Sequence, residues 1–471
     1  MYDVIIIGAG PAGLFSALKL INTTKKINIA IVDRGKKLLQ RRCNCITEGR
    51  CQKCSVCDVV HGVGGAGMYS DGKLSLFPAG SKMEKLFKNK IELVYRNKNV
   101  LNSIIKFSKS PYKKIDALQN TNLAVADQLK ENHCELKMYS VYHLGTEGIQ
   151  NACNNIEKKL VESGVQFILQ NTVDEIKRKN GIFTLDLLDK NRNLHEIKAT
   201  NVIIATGKAS GLKIRTWYEA LGVKYAFNPI ELGVRVEADR DALKDVLNHH
   251  LDAKIKMKSK DYEIRTFCMC NGGYLARCYY DTFDNDQKIC TISGFSYYGR
   301  KTDNLNFGLL VRKKYEENID PIKKQISYIE KINLRAGNNT IVQRLEDFMD
   351  NRVTTSESLN KNSIESTLSN IVTDNIKEYF PDYTIEAIEN FFYNMKEVFP
   401  KLYNKDTLLH APVWEMCWDR IITKDGVSTE IPNLYVVGDI TGSARGIIQA
   451  ATLGEMAAEK LLADKYNTAV G

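Results

Sequence analysis

The chain has 471 residues, enough for two or three packed lobes around a large core. Its 44% hydrophobic and 26% charged residues are typical of a soluble globular protein. The net charge is +10, but the basic residues are spread along the whole length, so solvated lysine-rich faces are favoured over a nucleic-acid groove. An anionic substrate or an acidic electron-transfer partner also suits this charge.

The sequence contains no run of about eighteen apolar residues, which argues against a membrane-spanning helix. No basic leader precedes the apolar N-terminus, so we expect no signal peptide and a cytoplasmic protein. In that compartment the twelve cysteines are expected to be thiols, metal ligands or redox groups, and not structural disulfides.

The first predicted element is a β-branched strand over residues 4–7, followed by a glycine turn and a helix. Gly8, Gly10 and Gly13 have G-x-G-x-x-G spacing, in which the glycines permit a tight turn, close approach to a pyrophosphate and close helix packing. A second strand ends at Asp33, where a carboxylate can accept bonds from ribose hydroxyls. This succession predicts a dinucleotide site in a Rossmann-type fold.

Five cysteines follow within fifteen residues. The last three have C-x2-C-x2-C spacing, which suits three corners of a [4Fe-4S] cluster, with the fourth ligand from upstream or from Cys268 or Cys270. Zinc held by four thiolates is the structural alternative, and a redox dithiol or unliganded thiols are the third interpretation. The candidate metal ligands are Cys43, Cys45, Cys51, Cys54 and Cys57.

The stretch "HGVGGAGMYSDGKLSL" (residues 61–76) is rich in glycine, which allows several backbone N–H groups to converge on one ligand. A mobile surface loop is the alternative interpretation. If the loop wraps a cofactor, Ser70, Asp71 and Lys73 are the side chains expected near it.

Residues 77–139 are rich in lysine and asparagine with helical stretches, and we interpret them as an insertion that caps the cofactor domain. A helix is predicted to begin at Gly145-Thr146, directly after His143. Residues 211–409 predict a second lobe, with strands at "ELGVRVEAD" and "ICTISGFSYYG" and amphipathic helices at "IDPIKKQISYIEKIN" and "YTIEAIENFFYNMKEVF". Within it, "RTFCMCNGGY" contains two cysteines that face the cofactor or, alternatively, are ordinary buried strand thiols.

The C-terminal stretch "NLYVVGDITGSARGIIQAATLGEMAAEKLL" predicts a strand, a short loop and a small-residue helix. It resembles the flavin-binding signature of the glutathione-reductase-like FAD superfamily. In that superfamily the aspartate, here Asp439, bonds the ribityl chain, and the helix points its positive end at the flavin. "NVIIATGKASG" resembles the same superfamily, and Val173 in the preceding β-meander occupies the place where the adenine lies. The resemblance therefore implies FAD as the cofactor.

Several motifs taken together look like a family of bacterial FAD-dependent dehydrogenases that is largely uncharacterised. They are the cysteine cluster followed by "GVGGAGMYSDGKLSL", then "YHLGTEG", "RTFCMCNGGY", "QRLEDF" and "YVVGDITGSARGIIQAA". The resemblance extends over nearly the whole chain. It implies flavin redox chemistry without naming a substrate, and it places His143 near the active site.

We therefore predict an α/β fold with a Rossmann-type FAD-binding domain of the glutathione-reductase type and an α+β substrate lobe. The FAD-binding domain is predicted to comprise residues 1–76, 140–210 and 410–471, with the helical cap at 77–139 and the substrate lobe at 211–409. The predicted catalytic residues are His143, Lys73, Cys268 and Cys270. The predicted cofactor-binding residues are Gly8, Gly10, Pro11, Ala12, Gly13, Asp33, Arg34, Arg42, Gly64, Gly65, Ala66, Gly67, Ser70, Asp71, Gly72, Lys73, Val173, Ala205, Thr206, Gly207, Gly438, Asp439, Arg445, Gly446 and Ile447.

The predicted reaction moves hydride or electrons between a small organic substrate and the flavin. No second G-x-G-x-x-G with strand–helix context is found, so the electron donor is NAD(P)H docking transiently or a ferredoxin-like protein acting through a cluster. Two alternatives stay open: a flavin-dependent tRNA-modifying protein, and an electron-transfer component that works with a partner protein. A membrane-associated lipid reductase is less favoured, because no basic amphipathic helix stands out.

Overall fold

A computed structural model of the chain describes residues 1–44, 52–116, 123–282, 288–297, 301–313, 315–316, 319–415 and 419–467. Its strands, in chain order, are β1 (Tyr2–Ile7), β2 (Ile29–Asp33), β3 (Lys73–Ser75), β4 (Lys113–Ile115), β5 (Cys134–Lys137), β6 (Val141–His143), β7 (Gln166–Leu169), β8 (Asn171–Lys179), β9 (Ile182–Asp189), β10 (Leu194–Ile204), β11 (Tyr225–Ala226), β12 (Glu231–Asp239), β13 (Lys254–Lys258), β14 (Tyr262–Asn271), β15 (Tyr274–Asp281), β16 (Lys288–Phe295), β17 (Asn304–Lys313), β18 (Ile341–Arg344), β19 (Val372–Thr373), β20 (Leu408–Glu415), β21 (Arg420–Ile421) and β22 (Leu434–Val436).

The α-helices of the described residues are interspersed among these strands along the chain. They are α1 (Pro11–Ile21), α2 (Lys90–Ser108), α3 (Leu123–Glu131), α4 (Gly145–Glu162), α5 (Ile214–Leu221), α6 (Lys244–Leu247), α7 (Pro321–Arg335), α8 (Leu345–Met349), α9 (Ser356–Asn360), α10 (Asp382–Met395) and α11 (Ile447–Asn467). Within the described ranges, no helix is both long and apolar enough to cross a membrane.

The first sheet is the cofactor layer predicted from the N-terminal pattern. Within the described residues it has the strand order β7-β2-β1-β10-β9-β8, with β22 beside the end of β10. Strands β7, β2, β1, β10 and β22 run parallel, whereas β8, β9 and the first half of β10 form an antiparallel meander. The carboxyl ends of β1, β2, β10 and β22 therefore meet at one edge, where ligands bind in parallel sheets.

Helices α1 and α11 cover one face of this sheet and touch through a glycine. A Cβ atom placed on Gly454 of α11 would lie 2.1 Å from the carbonyl oxygen of Ala12 in α1. The hydroxyl of Ser16 donates to the carbonyl oxygens of both Ala12 and Gly454 at 2.9 Å. Because α1 follows the glycine turn and α11 follows the Gly438-Asp439 loop, this contact holds two predicted cofactor segments together.

The second sheet belongs to the other lobe. In the described part of the chain its order is β19-β18-β20-β12-β17-β14-β13-β5, antiparallel except for the β18–β19 pair. The predicted strand "ELGVRVEAD" is β12, and it is buried on both faces. A two-stranded hairpin of β15 and β16 packs beside this sheet, where the backbone of Gly294 lies against the guanidinium of Arg235.

Some elements cross the boundaries predicted from the sequence. The insertion at 77–139 holds helices, but it also contributes β5, which pairs with β13 of the second sheet. Strand β20 spans residue 410, the predicted return to the cofactor domain, and pairs with β12 on both sides of an irregularity between Gly233 and Arg235. The mixed α/β class is confirmed, and the predicted domain division stays a prediction.

Candidate functional site

Four chain segments meet at the carboxyl edge of the first sheet. A Cβ atom on Gly8, which has a φ of +110°, would lie 2.4 Å from the carbonyl oxygen of Ala205. The Cα atom of Gly10 is 3.0 Å from the position that a Cβ on Gly65 would take, and the backbone N–H of Gly64 donates to Ala9 at 2.8 Å. These contacts leave no room for side chains, which is why glycines occupy the turn and the loop.

The fourth segment is the C-terminal loop. The ideal Cβ position of Gly438 lies 3.0 Å from Cβ of Ala12, and that of Gly67 lies 3.3 Å from the side chain of Ile447. The predicted segments 8–13, 64–67, 205–207 and 438–447 are therefore neighbours in space. Sequence patterns in four separate places thus describe one location.

Asp33 ties this location together through its carboxylate. Oδ2 accepts a hydrogen bond from the backbone of Ala9 at 2.9 Å, and Oδ1 accepts from the backbones of Gly35 and Gly62, both at 2.8 Å. The side chain predicted to face a ribose therefore also fixes the glycine turn and the start of the glycine-rich loop.

A cavity of about 640 Å³ opens beside this carboxylate. Its wall includes Gly8, Asp33, Val173 and Thr206, each from a different segment predicted to contact the cofactor. Arg34, another predicted residue, also lines it and forms an ion pair with Asp281 of the second lobe. The volume lies within the ordinary range for small-molecule and cofactor sites.

The cavity wall offers groups that a nucleotide would satisfy. The hydroxyl of Thr206 and the amide oxygen of Asn171 are buried, and neither has a hydrogen-bond partner among the described residues. Both residues line the cavity. Buried polar atoms of this kind are costly without a partner, so the residues present fit a ligand with hydroxyl and ring nitrogen groups.

A second cluster lies where the glycine-rich loop meets the other lobe, and we call it the thiol cluster: Asp71, Lys73, His143, Cys268 and Cys270. In the described parts of the chain, Asp71, Cys268 and Cys270 form the group of three metal-ligand side chains whose ligand atoms lie within 4.8 Å of one another. Lys73 Nζ is 2.9 Å from Asp71 Oδ2. The four residues predicted as catalytic are therefore brought together, from three separate parts of the chain.

Charges inside the thiol cluster are strongly coupled. Burial opposes the charge on Lys73, but the carboxylate of Asp71 outweighs it and raises the pKa of Lys73 above its ordinary value. The same pairing, against burial, lowers the pKa of Asp71. Burial and the Lys73 ammonium lower the pKa of His143 to about 4. At neutral pH the cluster therefore holds an ammonium, a carboxylate and a neutral imidazole.

The hydrogen bonds of His143 indicate its role. Its Nε2 lies 2.9 Å from the carbonyl oxygen of Asp71, so the neutral ring donates from Nε2. In the backbone pairing of strands β3 and β6, His143 lies directly opposite Lys73. The histidine thus positions the two charged residues of the cluster.

Strand β12 supplies charged groups that the sequence analysis did not single out. Arg235 donates to the carbonyl oxygen of Cys268 at 2.8 Å and lies 3.7 Å from the sulfur of Cys270. Glu231, only 1% exposed, lies 2.8 Å from Arg445 of the C-terminal loop. The sequence did show charged residues at alternate positions of this apolar strand. Such alternation usually indicates that one side of a strand faces solvent, so these residues were not predicted to belong to a buried site.

Asp439 lies in the C-terminal loop, as predicted. Burial raises its pKa to about 6, although Lys208 and Arg445 act in the opposite direction. Lys208, whose charge acts on Asp439, lies after β10 and forms an ion pair with Glu415 at the end of β20 in the second sheet.

Other predicted residues do not join these contacts. The side chain of Arg42 is exposed, and its neighbour Arg41 is the buried one, donating to the carbonyl oxygen of Val63 at 2.7 Å. Ala66 is exposed at the tip of the glycine-rich loop. Arg41 was missed because two adjacent arginines cannot be distinguished by pattern.

The N-terminal cysteines are only partly described. Cys45 and Cys51 lie outside the described residues. Cys54 is exposed on the wall of the cavity, Cys57 is buried in the core, and Cys43 is half-buried. A shared metal site for these cysteines stays a prediction.

Two family models match successive parts of the chain. The family described as "Pyridine nucleotide-disulphide oxidoreductase" matches residues 2–216, and the family described as "FAD-dependent protein, C-terminal domain-like" matches residues 229–413. The first match lies in the N-terminal half of the chain, and the second covers most of the rest. No match is found among curated protein sequences.

Among solved structures, the chain is similar to a flavoprotein/dehydrogenase from Cytophaga hutchinsonii. The two sequences are 11% identical, the TM-score is 0.42, and the match covers 99% of this chain and 79% of that one. A glycine oxidase from Geobacillus kaustophilus has 10% identity and a TM-score of 0.41, covering 98% and 94%. At these values the structures decide neither substrate nor reaction.

The family matches cover both lobes. The segments that they match contain the glycine turn, the acid at the end of β2 and the lobe that carries Cys268 and Cys270. The chain is an FAD-dependent oxidoreductase.

Proposed function

We propose that the protein transfers hydride or electrons between a small organic substrate and FAD, with the adenosine half of FAD in the 640 Å³ cavity and the flavin directed towards the thiol cluster. The observation that carries this proposal is the cavity itself. Its wall joins Gly8, Asp33, Val173 and Thr206, which come from four separate parts of the sequence.

When bound, FAD supplies the redox chemistry, accepting or donating one or two electrons. The chain's own residues position the cofactor and stabilise its negative charges. The turn at Gly8–Gly13 offers backbone N–H groups and the start of α1 to a diphosphate, and the start of α11 offers a second positive helix end. Lys73 holds its proton against Asp71, so it acts as a fixed positive charge and not as a base.

The proposed electron donor is NAD(P)H, docking transiently, or a ferredoxin-like protein acting through an iron–sulfur cluster on the N-terminal cysteines. Zinc at the same cysteines would be structural. A cytoplasmic location belongs to the same proposal, because the twelve cysteines of the sequence would be thiols, metal ligands or redox groups in that compartment.

The test is anaerobic purification, followed by a visible spectrum, metal and sulfide analysis, and reconstitution with FAD. We expect about one FAD per chain, because the site is built for a single dinucleotide. Gly8→Ala should weaken FAD binding at least about tenfold, since the added methyl group meets the carbonyl of Ala205.

Gly181→Ala is the matched control. Gly181 also has a positive φ, of +78°, but no atom of the residues that the structure describes lies within 4 Å of its Cβ position in the β8–β9 hairpin. Folded wild-type protein that stays colourless after reconstitution would overturn the proposal.

A further inference from the structure

We propose that Cys268 and Cys270 form a redox-active dithiol, which exchanges an electron pair with the flavin by closing and opening a disulfide bond between them. The inference rests on the proposed function, because the flavin is the two-electron partner. It assigns a second redox group to the site, in the substrate lobe.

The backbone brings the two sulfurs to one side of strand β14. Cys268 has a φ of +49°, and the pairing of β14 with β17 is irregular between Phe267 and Cys270. The sulfur atoms lie within 4.8 Å of each other. A Cβ on Gly273 would be 2.5 Å from Cβ of Cys270, so this glycine makes room for the pair.

Charged groups of both signs lie close to the two sulfurs. Both thiols donate to Asp71 Oδ2, Cys268 at 3.6 Å and Cys270 at 3.8 Å, and this carboxylate favours the protonated thiols. The Lys73 ammonium and the Arg235 guanidinium supply positive charge on the other sides. Positive charge beside a sulfur stabilises the thiolate form, and this is the setting that distinguishes reactive cysteines from structural ones.

The dithiol is connected to the cofactor site through continuous chain. Asp71 and Lys73 lie four and six residues after Gly67, whose Cβ position meets Ile447 at the start of α11. The hydroxyl of Thr146 bonds the carbonyl oxygens of Ser70 and Ser296, which closes the loop against the second lobe. The loop that contacts the glycine turn therefore ends at the two cysteines.

The electron balance is complete with FAD as the partner. Two thiols lose two protons and two electrons when the S–S bond forms, and oxidised flavin takes up the electron pair. In the opposite direction, reduced flavin returns the pair, the S–S bond breaks and both sulfurs regain protons. Cys268 is the partly exposed member, so a substrate thiol or disulfide meets this sulfur first.

A metal ion is the competing use of Asp71, Cys268 and Cys270. The Lys73 ammonium lies 2.9 Å from the same carboxylate oxygen, Oδ2, that faces both sulfurs. A divalent cation would have to displace this ammonium from a buried site. The dithiol, in contrast, uses the ammonium to stabilise a thiolate.

The test uses the full-length protein with bound FAD, and its first readout does not depend on activity. Trypsin cleavage after Arg265 and Arg277 releases the peptide 266–277, whose only cysteines are Cys268 and Cys270. In oxidising glutathione buffers this peptide should become about two mass units lighter and resist alkylation, and dithiothreitol should reverse the change.

Reductive titration supplies the second readout. The wild-type holoprotein should take up about four electrons per chain, two for flavin and two for the disulfide, and Cys268→Ser or Cys270→Ser about two. Cys290→Ala, at a buried cysteine in β16, should behave as wild type.

Two results overturn the inference without touching the proposed function: a yellow holoprotein that takes up about two electrons with no light peptide, or one zinc per chain that is lost in either serine variant. Colourless protein would instead contradict the proposed function. Yellow protein with the light peptide and the extra electron pair supports both.

Discussion

At the residue scale, Asp33 shows how one carboxylate can organise a cofactor site. Its two oxygens accept three backbone hydrogen bonds, from Ala9, Gly35 and Gly62. Asp33→Asn keeps the shape but replaces one accepting oxygen with a donor, so we expect FAD to bind about 10- to 100-fold more weakly. Quenching of flavin fluorescence during titration of the apoprotein measures this.

Asp3→Asn is the matched control, since Asp3 accepts a backbone hydrogen bond from Asn28 at 2.9 Å near the opposite end of β1. Equal FAD affinities for the two variants would contradict the role given to Asp33.

His143 gives a pH prediction. Its pKa falls from 6.5 to about 4 on folding, because burial and Lys73 disfavour the imidazolium. In the unfolded chain the His143 imidazole therefore becomes protonated near pH 6.5, whereas in the folded protein it becomes protonated only near pH 4. The free energy of unfolding should decrease as pH falls through this window, by about 3 kcal/mol from this residue.

Urea unfolding of wild type and His143→Gln at several pH values between 4 and 7.5 isolates the effect. The loss of stability should be smaller in His143→Gln, while His61 and His250, whose pKa values are also lowered, remain in both proteins. Parallel pH profiles for the two proteins would show that His143 titrates as an ordinary histidine.

At the element scale, the contact between α1 and α11 controls how the glycine turn meets the C-terminal loop. In Gly454→Ala the added methyl group would lie 2.1 Å from the carbonyl oxygen of Ala12. The helices must separate, which should cost roughly 1–3 kcal/mol of stability and weaken FAD binding. Chemical denaturation and FAD titration check both effects.

Lys460→Ala tests a half-exposed position of the same helix, where Lys460 forms a surface ion pair with Asp464, and should change stability by less than about 0.5 kcal/mol. If Gly454→Ala were as stable as Lys460→Ala and bound FAD normally, the close contact would not matter.

The same scale shows where sequence patterns mislead. Strand β12 alternates apolar and charged residues, which usually indicates one solvent-facing side. Instead, Glu231, Arg235 and Glu237 are almost fully buried, because the hairpin β15–β16 and other parts of the chain cover this side. The pattern predicted the strand correctly but could not predict what covers it.

At the scale of the whole molecule, Glu231 links the two lobes. Its carboxylate pairs with Arg265 at 2.6 Å, with Arg445 at 2.8 Å and with Arg312. Against the effect of burial, these arginines hold its pKa well below the ordinary value. Glu231→Gln leaves three arginines around a neutral amide and should reduce stability by roughly 3–5 kcal/mol.

Glu263→Gln is the control, because Glu263 is partly exposed and pairs with Lys256 of the neighbouring strand at 2.6 Å. This variant should lose only about 0–1 kcal/mol of stability. Thermal and urea unfolding, followed by both flavin release and circular dichroism, compare the variants. Similar small losses would show that the lobes do not depend on this carboxylate.

The sequence by itself determined the local parts of the cofactor site. The turn at Gly8 is required by local steric limits, and the position of Asp33 follows from where strand β2 ends. Both features depend on residues that are close in the sequence. Only the tertiary structure decided the thiol cluster. Asp71 and Cys268 are 197 residues apart, and their contact depends on packing between a loop of one lobe and a bulged strand of the other, which no local pattern encodes.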